Sequence, residues 1–180
     1  CNLGADIPDE FGDYYQWGCI EPDKSGKLNS YPYYDKITKS YIDIGTDISG
    51  TEYDAATALL GEGWRLPTKD ELQELLDKCS IDSYHHPENK MRGFVVKSNN
   101  GNSIYLPAAG IIMESTCDAY VEENESMILL NLSIPSANKD LHENQYSILS
   151  ILTVQDHKTQ QIGLLSREYS VPIRPVYDPK

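Results

Sequence analysis

Apolar residues recur at helical spacing in the stretch from residue 64 to residue 79, WRLPTKDELQELLDKC. The apolar positions follow the i, i+3, i+4, i+7 spacing of one helix face and are Leu72, Leu75, Leu76 and Cys79. Thr68 and Glu71 have the Thr-x-x-Glu spacing of a capping box, in which each side chain accepts a hydrogen bond from a free backbone N–H of the first turn. The pattern predicts a helix that begins after Thr68 and packs its apolar face on a core.

A shorter helix is predicted upstream, from about Glu52 to Leu60. Its apolar face would consist of Ala55, Ala56, Leu59 and Leu60. Gly61 follows directly, and glycine commonly ends a helix because it adopts the left-handed conformation without strain. We therefore expect two helices in the first half of the chain.

Beyond residue 90 the apolar period changes to two, which indicates β-strands. GFVVKS (93–98) and SIYLPAAG (103–110) flank the sequence NNGN (99–102). Asn-Gly is a strong hairpin signal because both central residues of a tight two-residue turn adopt positive φ. Further strands are predicted at 126–136, 145–156, 160–166 and 170–177. Two helices followed by antiparallel strands indicate an α+β fold.

Loops dominate the first fifty residues. GDYYQWG (12–18) predicts a short strand that ends at Gly18. EPDKSGKLNSYPYYDK (21–36) predicts an exposed loop, because Pro, Gly, Ser and Asn interrupt every apolar period. A loop of this length in a compact domain is usually functional or specific to a family.

The composition fits a single acidic domain. A chain of 180 residues buries about 70% of its unfolded surface, which is enough for a core without a metal or a disulfide framework. Its 28 Asp and Glu against 15 Lys and Arg give a net charge of -13, which repels nucleic acids and anionic lipids, so we expect no nucleic-acid partner. The 13 tyrosines carry polar tips on apolar rings, a composition that suits a binding surface.

The four cysteines fit neither a disulfide scaffold nor a zinc ribbon. Four thiols permit three complete pairings, none of which follows from the spacing, and no C-x-x-C occurs. No apolar run approaches the roughly 20 residues that cross a bilayer, so we expect no transmembrane segment. The N-terminal CNLGADIPDE lacks the basic and apolar regions of a signal peptide, so we expect any export signal to lie upstream or to have been removed.

Four segments of the chain occur in the order that a known domain family shows. They are CNLGADIPDEFGDYYQWG, ISGTEYDAATALLGEGWRLPTKDELQELLDKC, GFVVKSNNGNSIYLPAAG and SVPIRPV. Together they cover somewhat under half of the residues and resemble the Fibrobacter succinogenes major paralogous domain, which is common in secreted and surface proteins of Bacteroides-type bacteria. RLPTKDEL is also similar to a segment of formylglycine-generating enzymes and of other proteins with the C-type lectin-like fold. The resemblance implies two helices packed on twisted antiparallel sheets, adjacent chain ends, and long loops that form a binding face.

The same resemblance sets the expected extent and location of the domain. The family usually has an apolar strand before its Cys-Asn segment, so a single C-type lectin-like domain over residues 1–180 would lack its first strand. The family implies an extracellular or outer-membrane surface location, with a lipid anchor on an upstream segment as one arrangement. Cys1 would then be an internal residue rather than the lipid-bearing cysteine of a processed lipoprotein.

The chain departs from the family between residues 111 and 168. There MILLNLSIPS and HKTQQIGLLSREYS replace the family's Tyr-Trp-Ser-Ser and Asn-rich segments, so a relative's ligand does not transfer to this chain. In related folds, loops and the exposed face near the late strands make the contacts, which here would be residues 138 to 167. The candidate ligand-binding residues are Asn138, His142, Asp156, His157, Gln160 and Arg167.

The sequence carries no established catalytic or metal-binding pattern. A formylglycine-generating-like oxidase needs two close cysteines near the C-terminal third to bind copper, and the last cysteine here is Cys117. HHPE (85–88) does not build a tetrahedral site, because adjacent side chains of an extended segment point in opposite directions. VEENES (121–126) lacks the spacing of an EF-hand loop, and EPD (21–23) replaces the Glu-Pro-Asn of calcium-dependent lectins. We therefore predict no cofactor and no metal site.

Several conspicuous residues are predicted to be structural. A Trp between a Gly-rich turn and a strand generally caps a core, and an Arg beside it generally pairs with a carboxylate or with backbone carbonyls. The residues interpreted as structural are Trp64, Arg65, Thr68, Glu71, Cys79 and Arg174. Cys79 is expected to be buried, either as a free thiol or in a disulfide with Cys1. A bridge between Cys19 and Cys117 is a further option, and either bridge would contribute roughly 2–5 kcal/mol.

These observations predict a non-enzymatic binding domain of an exported or cell-surface protein, with a protein or a glycan as its ligand. One alternative is an accessory or structural domain of a surface assembly. The other, which the cysteine positions disfavour, is a formylglycine-generating-like enzyme. An exposed apolar patch above several hundred Å² would favour the accessory role, because monomers seldom leave such patches open.

Overall fold

The computed structural model describes residues 1–85, 92–113, 116–118, 130–139, 144–154 and 157–179. Within them the chain is a mixed α and β protein with two helices and mostly antiparallel strands. The helices are α1 (Ala55–Leu60) and α2 (Lys69–Lys78). The strands are β1 (Tyr14–Gln16), β2 (Tyr34–Asp35), β3 (Ser40–Tyr41), β4 (Trp64–Arg65), β5 (Cys79–His85), β6 (Arg92–Ser98), β7 (Ser103–Pro107), β8 (Ile111–Met113), β9 (Thr116–Asp118), β10 (Leu130–Lys139), β11 (Gln145–Val154), β12 (His157–Ser166), β13 (Ser170–Pro172) and β14 (Val176–Tyr177).

The strands of the described residues form five small sheets, with the orders β1-β13-β8-β9, β5-β6-β7, β10-β11-β12, β14-β4 and β2-β3. The first sheet joins the two ends of the chain, because β1 pairs antiparallel with β13. The backbone N–H of Leu3 also donates to the carbonyl of Ile173 at 2.9 Å. The stretch 170–177, predicted as one strand, is divided into β13 and β14 by a segment that contains Pro175.

Helix α2 begins as the sequence predicts. The hydroxyl of Thr68 accepts the N–H of Glu71 at 3.2 Å, and the Glu71 carboxylate accepts the N–H of Thr68 at 2.8 Å, which completes the capping box. The helix ends one residue earlier than its apolar period suggests. Cys79 has extended backbone angles and is the first residue of β5, so its half-buried position belongs to a strand rather than to the helix face.

Helix α1 begins later than predicted, and part of its predicted apolar face is exposed. The helix begins after Asp54, whose buried carboxylate accepts the N–H groups of Ala56 and Thr57 and also the N–H of Leu66, which lies outside the helix. A six-residue helix buries only its first turn. Leu59 and Leu60, expected on the apolar face, are 54% and 44% exposed. The predicted stop is confirmed, since Gly61 has φ +88° and caps the helix.

The predicted hairpin joins β6 to β7, with a different turn from the one expected. Only Gly101 of the turn has a positive φ, at +88°. Its N–H donates to the carbonyl of Ser98, and the side chain of Asn100 accepts the N–H of Asn102. The loop therefore spans four residues and needs one left-handed position rather than two.

Two clusters of buried apolar side chains hold these elements together. The cluster beside α1 includes Trp17, Ile48, Ala55, Ala56, Leu66, Tyr146, Val171 and Ile173. The cluster beneath α2 consists of Leu72, Ile81, Phe94, Val96, Leu106 and Ala108, with Leu75, Leu76 and Cys79 packed against it. The leucine face of α2 therefore contacts a core, as predicted, and most of that core comes from β5, β6 and β7. Strand β5 was not predicted, because it follows α2 without an intervening turn.

The segment 21–36 is anchored, although the sequence predicts an exposed loop. Tyr31 is 2% exposed. The carboxylate of Asp23 accepts the N–H of Gly26 at 2.7 Å and the hydroxyl of Ser170 at 2.8 Å. Gly26 has φ +57°, and a Cβ placed there would lie 2.2 Å from the carbonyl oxygen of Ile112. The first half of this segment is therefore pressed against the sheet that contains β8 and β13.

Neither expected disulfide is present. Cys1, Cys19 and Cys79 are free thiols, so the structure contradicts both the Cys1–Cys79 and the Cys19–Cys117 bridge. Cys1 is exposed whereas Cys79 is half-buried, so the two side chains occupy different surroundings. Burial, and secondarily the carboxylate of Asp23, raises the pKa of the Cys19 thiol to about 12. Cys19 is therefore a protonated, weakly reactive thiol at neutral pH.

Candidate functional site

The stretch expected to carry the ligand contacts, residues 138 to 167, contains the end of β10 and the hairpin of β11 and β12. His142 and Asp156 lie outside the described residues. His157 is the first residue of β12 and is paired with Val154, and Gln160 is half-buried in the same strand. Of the six candidates, the structure describes the side-chain surroundings of Asn138, Gln160 and Arg167.

Asn138 takes part in the fold. Its side-chain oxygen accepts the backbone N–H of Lys69 at 3.0 Å, at the first turn of α2. The hydroxyl of Ser136 lies 3.3 Å from the same oxygen. This carbonyl oxygen thus accepts one of the backbone N–H groups at the start of the helix, which have no partner within the helix itself.

Arg167 lies in the interior, with 1% of its surface exposed. Its guanidinium carbon is 4.6 Å from the ring centre of Trp17, 5.7 Å from that of Tyr31 and 5.5 Å from that of Tyr41. The guanidinium also donates to the hydroxyl of Tyr31 at 3.1 Å and to the carbonyl of Ile42 at 3.3 Å. Three aromatic faces attract the buried charge, and its donors reach the 31–44 segment. Arg167 therefore fastens that segment to the core instead of facing a ligand.

A surface of half-buried tyrosine rings is connected to this arginine through Tyr31 and Tyr41. We define the tyrosine face as the side chains of Tyr33, Tyr34, Tyr41 and Tyr53. The rings of Tyr34 and Tyr41 are 5.2 Å apart, and those of Tyr33 and Tyr53 are 5.5 Å apart, in edge-to-face arrangements. The buried ring of Tyr31 contacts both pairs, at 6.1 Å from Tyr41 and 5.7 Å from Tyr33. The five rings form one continuous aromatic chain.

Hydrogen bonds fix the position of the tyrosine face. The Tyr31 hydroxyl donates to the carbonyl of Trp17 at 2.8 Å, and the Tyr41 hydroxyl donates to the carboxylate of Glu168 at 3.0 Å. Burial, together with the Glu168 carboxylate, raises the pKa of Tyr41, so this hydroxyl stays protonated and remains a donor at all physiological pH values. The N–H of Ile42 also donates to the carbonyl of Tyr33 at 2.8 Å. The face is therefore preorganised.

Aliphatic side chains extend the tyrosine face outward. Ile37, in the turn between β2 and β3, is 93% exposed, and Ile42, just after β3, is also exposed. Asp35 holds the turn by accepting the N–H of Ile37 at 2.8 Å. Exposed isoleucines beside aromatic rings form a surface suited to contact with another apolar surface.

Sequence reasoning missed the tyrosine face, although a signal was present. Five of the 13 tyrosines fall between residues 31 and 53. That density does not reveal which rings become buried, because burial depends on Arg167, which is 136 residues away from Tyr31. The candidate stretch 138–167 did include this arginine, as a residue exposed to ligand.

The residues predicted to be structural have well-defined partners. Arg65 donates to both carboxylate oxygens of Glu71, at 2.7 and 2.8 Å, and to Asp178 at 3.2 Å. The Arg65 guanidinium lowers the pKa of Glu71 to about 2. Half-buried Trp64 contacts the ring of Tyr177, with 5.1 Å between ring centres. Arg174 donates to the carbonyl of Tyr105 at 2.5 Å, and burial lowers its pKa.

The described residues contain no group of three or more His, Cys, Asp or Glu side chains arranged to hold a metal ion. In the part of the chain that the structure covers, no helix is long and apolar enough to cross a membrane. The arrangement of greatest functional interest is therefore a surface: rigid aromatic rings with polar tips, held from beneath by a buried cation.

Comparisons of the chain with protein-family models, with curated proteins and with solved structures gave no match.

Proposed function

We propose that this protein is a non-enzymatic binding domain of an exported or cell-surface protein, with a C-type lectin-like fold, and that the tyrosine face is its contact surface for a protein or glycan ligand. The observation that carries the proposal is the preorganised chain of rings from Tyr34 to Tyr53 above Arg167. The extracellular or outer-membrane surface location belongs to the same proposal and rests on the resemblance of the sequence.

Tyrosine rings are effective in recognition because they provide a large contact area at a small cost in conformational entropy. Each ring of the tyrosine face is already held by neighbouring rings, and Tyr41 is also held by its bond to Glu168. Binding therefore orders few additional side chains, so more of the contact energy appears as affinity.

The exposed isoleucines favour a protein ligand over a glycan. Ile37 and Ile42 offer branched aliphatic groups beside the rings, and such groups pack against apolar side chains of a partner. Glycan sites commonly place sugar faces on flat aromatic rings, whereas the rings here meet edge to face, at 63° and 88°. We therefore expect the ligand to be found in a screen of proteins rather than in a screen of glycans.

The proposal is tested by screening the purified domain against a glycan array and a panel of host and surface proteins. Three variants are screened in parallel: Tyr33→Ala, Tyr34→Ala and, as a matched control, Tyr84→Ala. Tyr84 is an exposed tyrosine on β5 that also meets a neighbouring ring edge to face, at 5.6 Å from Tyr105. It lies outside the tyrosine face.

We expect a hit that weakens by at least about tenfold in Tyr33→Ala or Tyr34→Ala, a loss typical of an aromatic contact residue, and that Tyr84→Ala retains. A hit that all three variants retain places recognition on another surface and contradicts the proposal. No hit in either screen also counts against it, and then favours an accessory domain of a surface assembly.

A further inference from the structure

A second feature of the surface shares no lining residue with the tyrosine face. It is an open pocket of about 290 Å³ beside α1, which we call the Trp64 pocket. Its lining residues are Ser49, Gly50, Thr57, Glu62, Gly63, Trp64, Arg65 and Asp178. Its volume is close to the lower end of the range for small-molecule sites, so it suits one long side chain or a small ligand group.

The walls of the Trp64 pocket are fixed before any ligand arrives. The hydroxyl of Thr57 donates to the carbonyl of Trp64 at 2.7 Å, and the N–H of Asp178 donates to the carbonyl of Gly63 at 2.8 Å. Strands β4 and β14 pair through Arg65 and Val176. The hydroxyl of Ser49 donates to the carbonyl of Leu66 at 3.1 Å. These bonds connect three distant parts of the sequence, so the pocket is a built feature of the fold.

The charges around the pocket do not balance. Among the residues that the structure describes, Arg65 is the one cation that lines it, and its guanidinium is already bound to Glu71 and Asp178. Glu62 is exposed and has no hydrogen bond or ion pair to any residue the structure describes. Among these described groups, one guanidinium faces the three carboxylates of Glu62, Glu71 and Asp178, which leaves negative charge at the pocket, and the overall charge of -13 adds to it.

An aromatic ring adds a second attraction for a cation. Trp64 lines the pocket and is half-buried, and the ring of Tyr177 supports it at 5.1 Å and an interplanar angle of 48°. Among aromatic side chains, the indole ring attracts cations most strongly. A cation at this position would interact with the Trp64 ring and with the Glu62 carboxylate at the same time.

We propose that the Trp64 pocket binds a positively charged side chain, lysine or arginine, of a polypeptide partner. The methylene stem of such a side chain packs against Trp64, and its charged end lies near Glu62 and Asp178. The pocket is open at the surface, so the backbone of the partner stays outside. This site is independent of the tyrosine face and goes beyond the function proposed above.

The test uses small probes and the two tryptophans of the chain. Trp64 is half-buried in the pocket and reports on binding there. Trp17 is buried, with 3% exposed, so the indole N–H resonance of Trp17 serves as an internal reference. The ¹⁵N-labelled domain is titrated with Nα-acetyl-lysine methylamide and with Nα-acetyl-arginine methylamide, in which the side chains keep their positive charge. N-acetyl-norleucine methylamide, which has an apolar side chain without the charge, and methyl glucoside are the neutral comparisons.

We expect the two cationic probes to shift the Trp64 indole resonance along a saturable curve and to leave that of Trp17 unchanged. The shift weakens as salt is added, because the attraction is electrostatic. The neutral probes produce no saturable shift. Binding of methyl glucoside alone would show a sugar site, and the absence of saturation with both cations would show that the pocket holds neither; each result overturns the proposal.

A pair of matched variants separates the charge of the pocket from the charge of the whole protein. Glu62→Gln removes the Glu62 carboxylate from the pocket, and Glu52→Gln removes an exposed carboxylate that does not line it. We expect Glu62→Gln to raise the dissociation constant for the lysine probe by about threefold, the weight of one exposed charge pair. We expect Glu52→Gln to leave it within error. Equal effects of the two variants would contradict the proposal.

Failure of this site and failure of the tyrosine face are distinguishable. Tyr33→Ala leaves the titration of Trp64 with the lysine probe unchanged if the two sites are independent. Glu62→Gln likewise leaves a hit of the protein or glycan screen unchanged if that hit uses the tyrosine face. Each variant has an unaltered Trp17 resonance if the core is intact.

Discussion

Two arginines, Arg65 and Arg167, lie in very different surroundings. Arg65 lies at the surface, with 20% of its side chain exposed, and binds the carboxylates of Glu71 and Asp178. Arg167 is buried against the rings of Trp17, Tyr31 and Tyr41. The first is held by opposite charges that water screens, and the described contacts of the second include three aromatic faces in the interior.

The difference shows how a sequence encodes each arrangement. The main partner of Arg65 is six residues away, within a motif that also caps a helix. The three rings around the Arg167 guanidinium come from the first quarter of the chain, and Tyr31 is 136 residues away. The local pair of Arg65 and Glu71 can form as soon as its own motif folds. The aromatic cage, by which we mean the rings of Trp17, Tyr31 and Tyr41 around Arg167, forms only when the whole domain is assembled. We therefore expect the two arginines to differ in their contribution to the stability of the domain.

Replacing Arg167 with Met should have the largest effect. The variant loses three ring contacts and the hydrogen bonds to Tyr31 and Ile42, so we expect a fall of about 3 kcal/mol in the free energy of unfolding. Urea denaturation followed by tryptophan fluorescence measures it, because Trp17 lies in the cage. A fall below about 1 kcal/mol would mean that methionine packs equally well among the rings and that the cage contributes little.

Thr68→Ala should have the next largest effect, in the region of Arg65. The variant removes one half of the capping box of α2, which typically costs about 1 kcal/mol. Thr68→Ser keeps the hydroxyl and is the control, with stability close to that of the parent. An equal loss in the alanine and serine variants would assign the effect to the lost methyl group instead of the cap.

Arg65→Met is the matched counterpart of Arg167→Met, with a smaller expected loss of about 0.5 to 1 kcal/mol, because exposed ion pairs are screened. Repeating both measurements in 1 M salt sharpens the contrast. The effect of Arg65→Met should shrink, and that of Arg167→Met should persist. Similar salt dependence in both variants would show that water reaches Arg167.

The pH dependence of stability tests the pair of Arg65 and Glu71 again, and here we expect the smallest change in the free energy of unfolding. The folded-state pKa of Glu71 is about 2, lowered from 4.5 chiefly by Arg65. Its contribution to stability is therefore fully present above pH 4.5 and is lost as the pH falls through 2. Between these values the parent should lose stability more steeply than Arg65→Met, measured by urea midpoints at each pH. Parallel profiles would contradict the assigned cause of the shift.

Local features of the fold could be predicted from the sequence. The cap at Thr68, the stop at Gly61 and the hairpin around Gly101 depend on a few neighbouring residues, and all three are present. Arg65 was expected to pair with a carboxylate or with backbone carbonyls, and its main partner is the carboxylate of Glu71, six residues along the chain. These interactions form within a turn or two of the chain, so the order of residues is enough to indicate them.

Features that depend on distant residues could not be predicted. Asp54 starts α1 partly because its carboxylate also accepts the N–H of Leu66, and Leu59 is exposed because the core ends at the first turn. The burial of Arg167 needs rings from another part of the chain, so the tyrosine face could not be predicted from local sequence patterns. Periodicity indicates which face of a helix is apolar, not whether another element covers it.

The contact of Gly26 with the carbonyl of Ile112 limits how this protein can diversify. Any larger residue at position 26 would force the backbone of the 21–36 segment or that of Ile112 to move, so the first half of the segment tolerates little change there. The tip around Ile37 has no such restriction, since that side chain is 93% exposed. New specificities should therefore arise by insertion or substitution at the tip, which offers a place for directed evolution of binders on an unaltered scaffold.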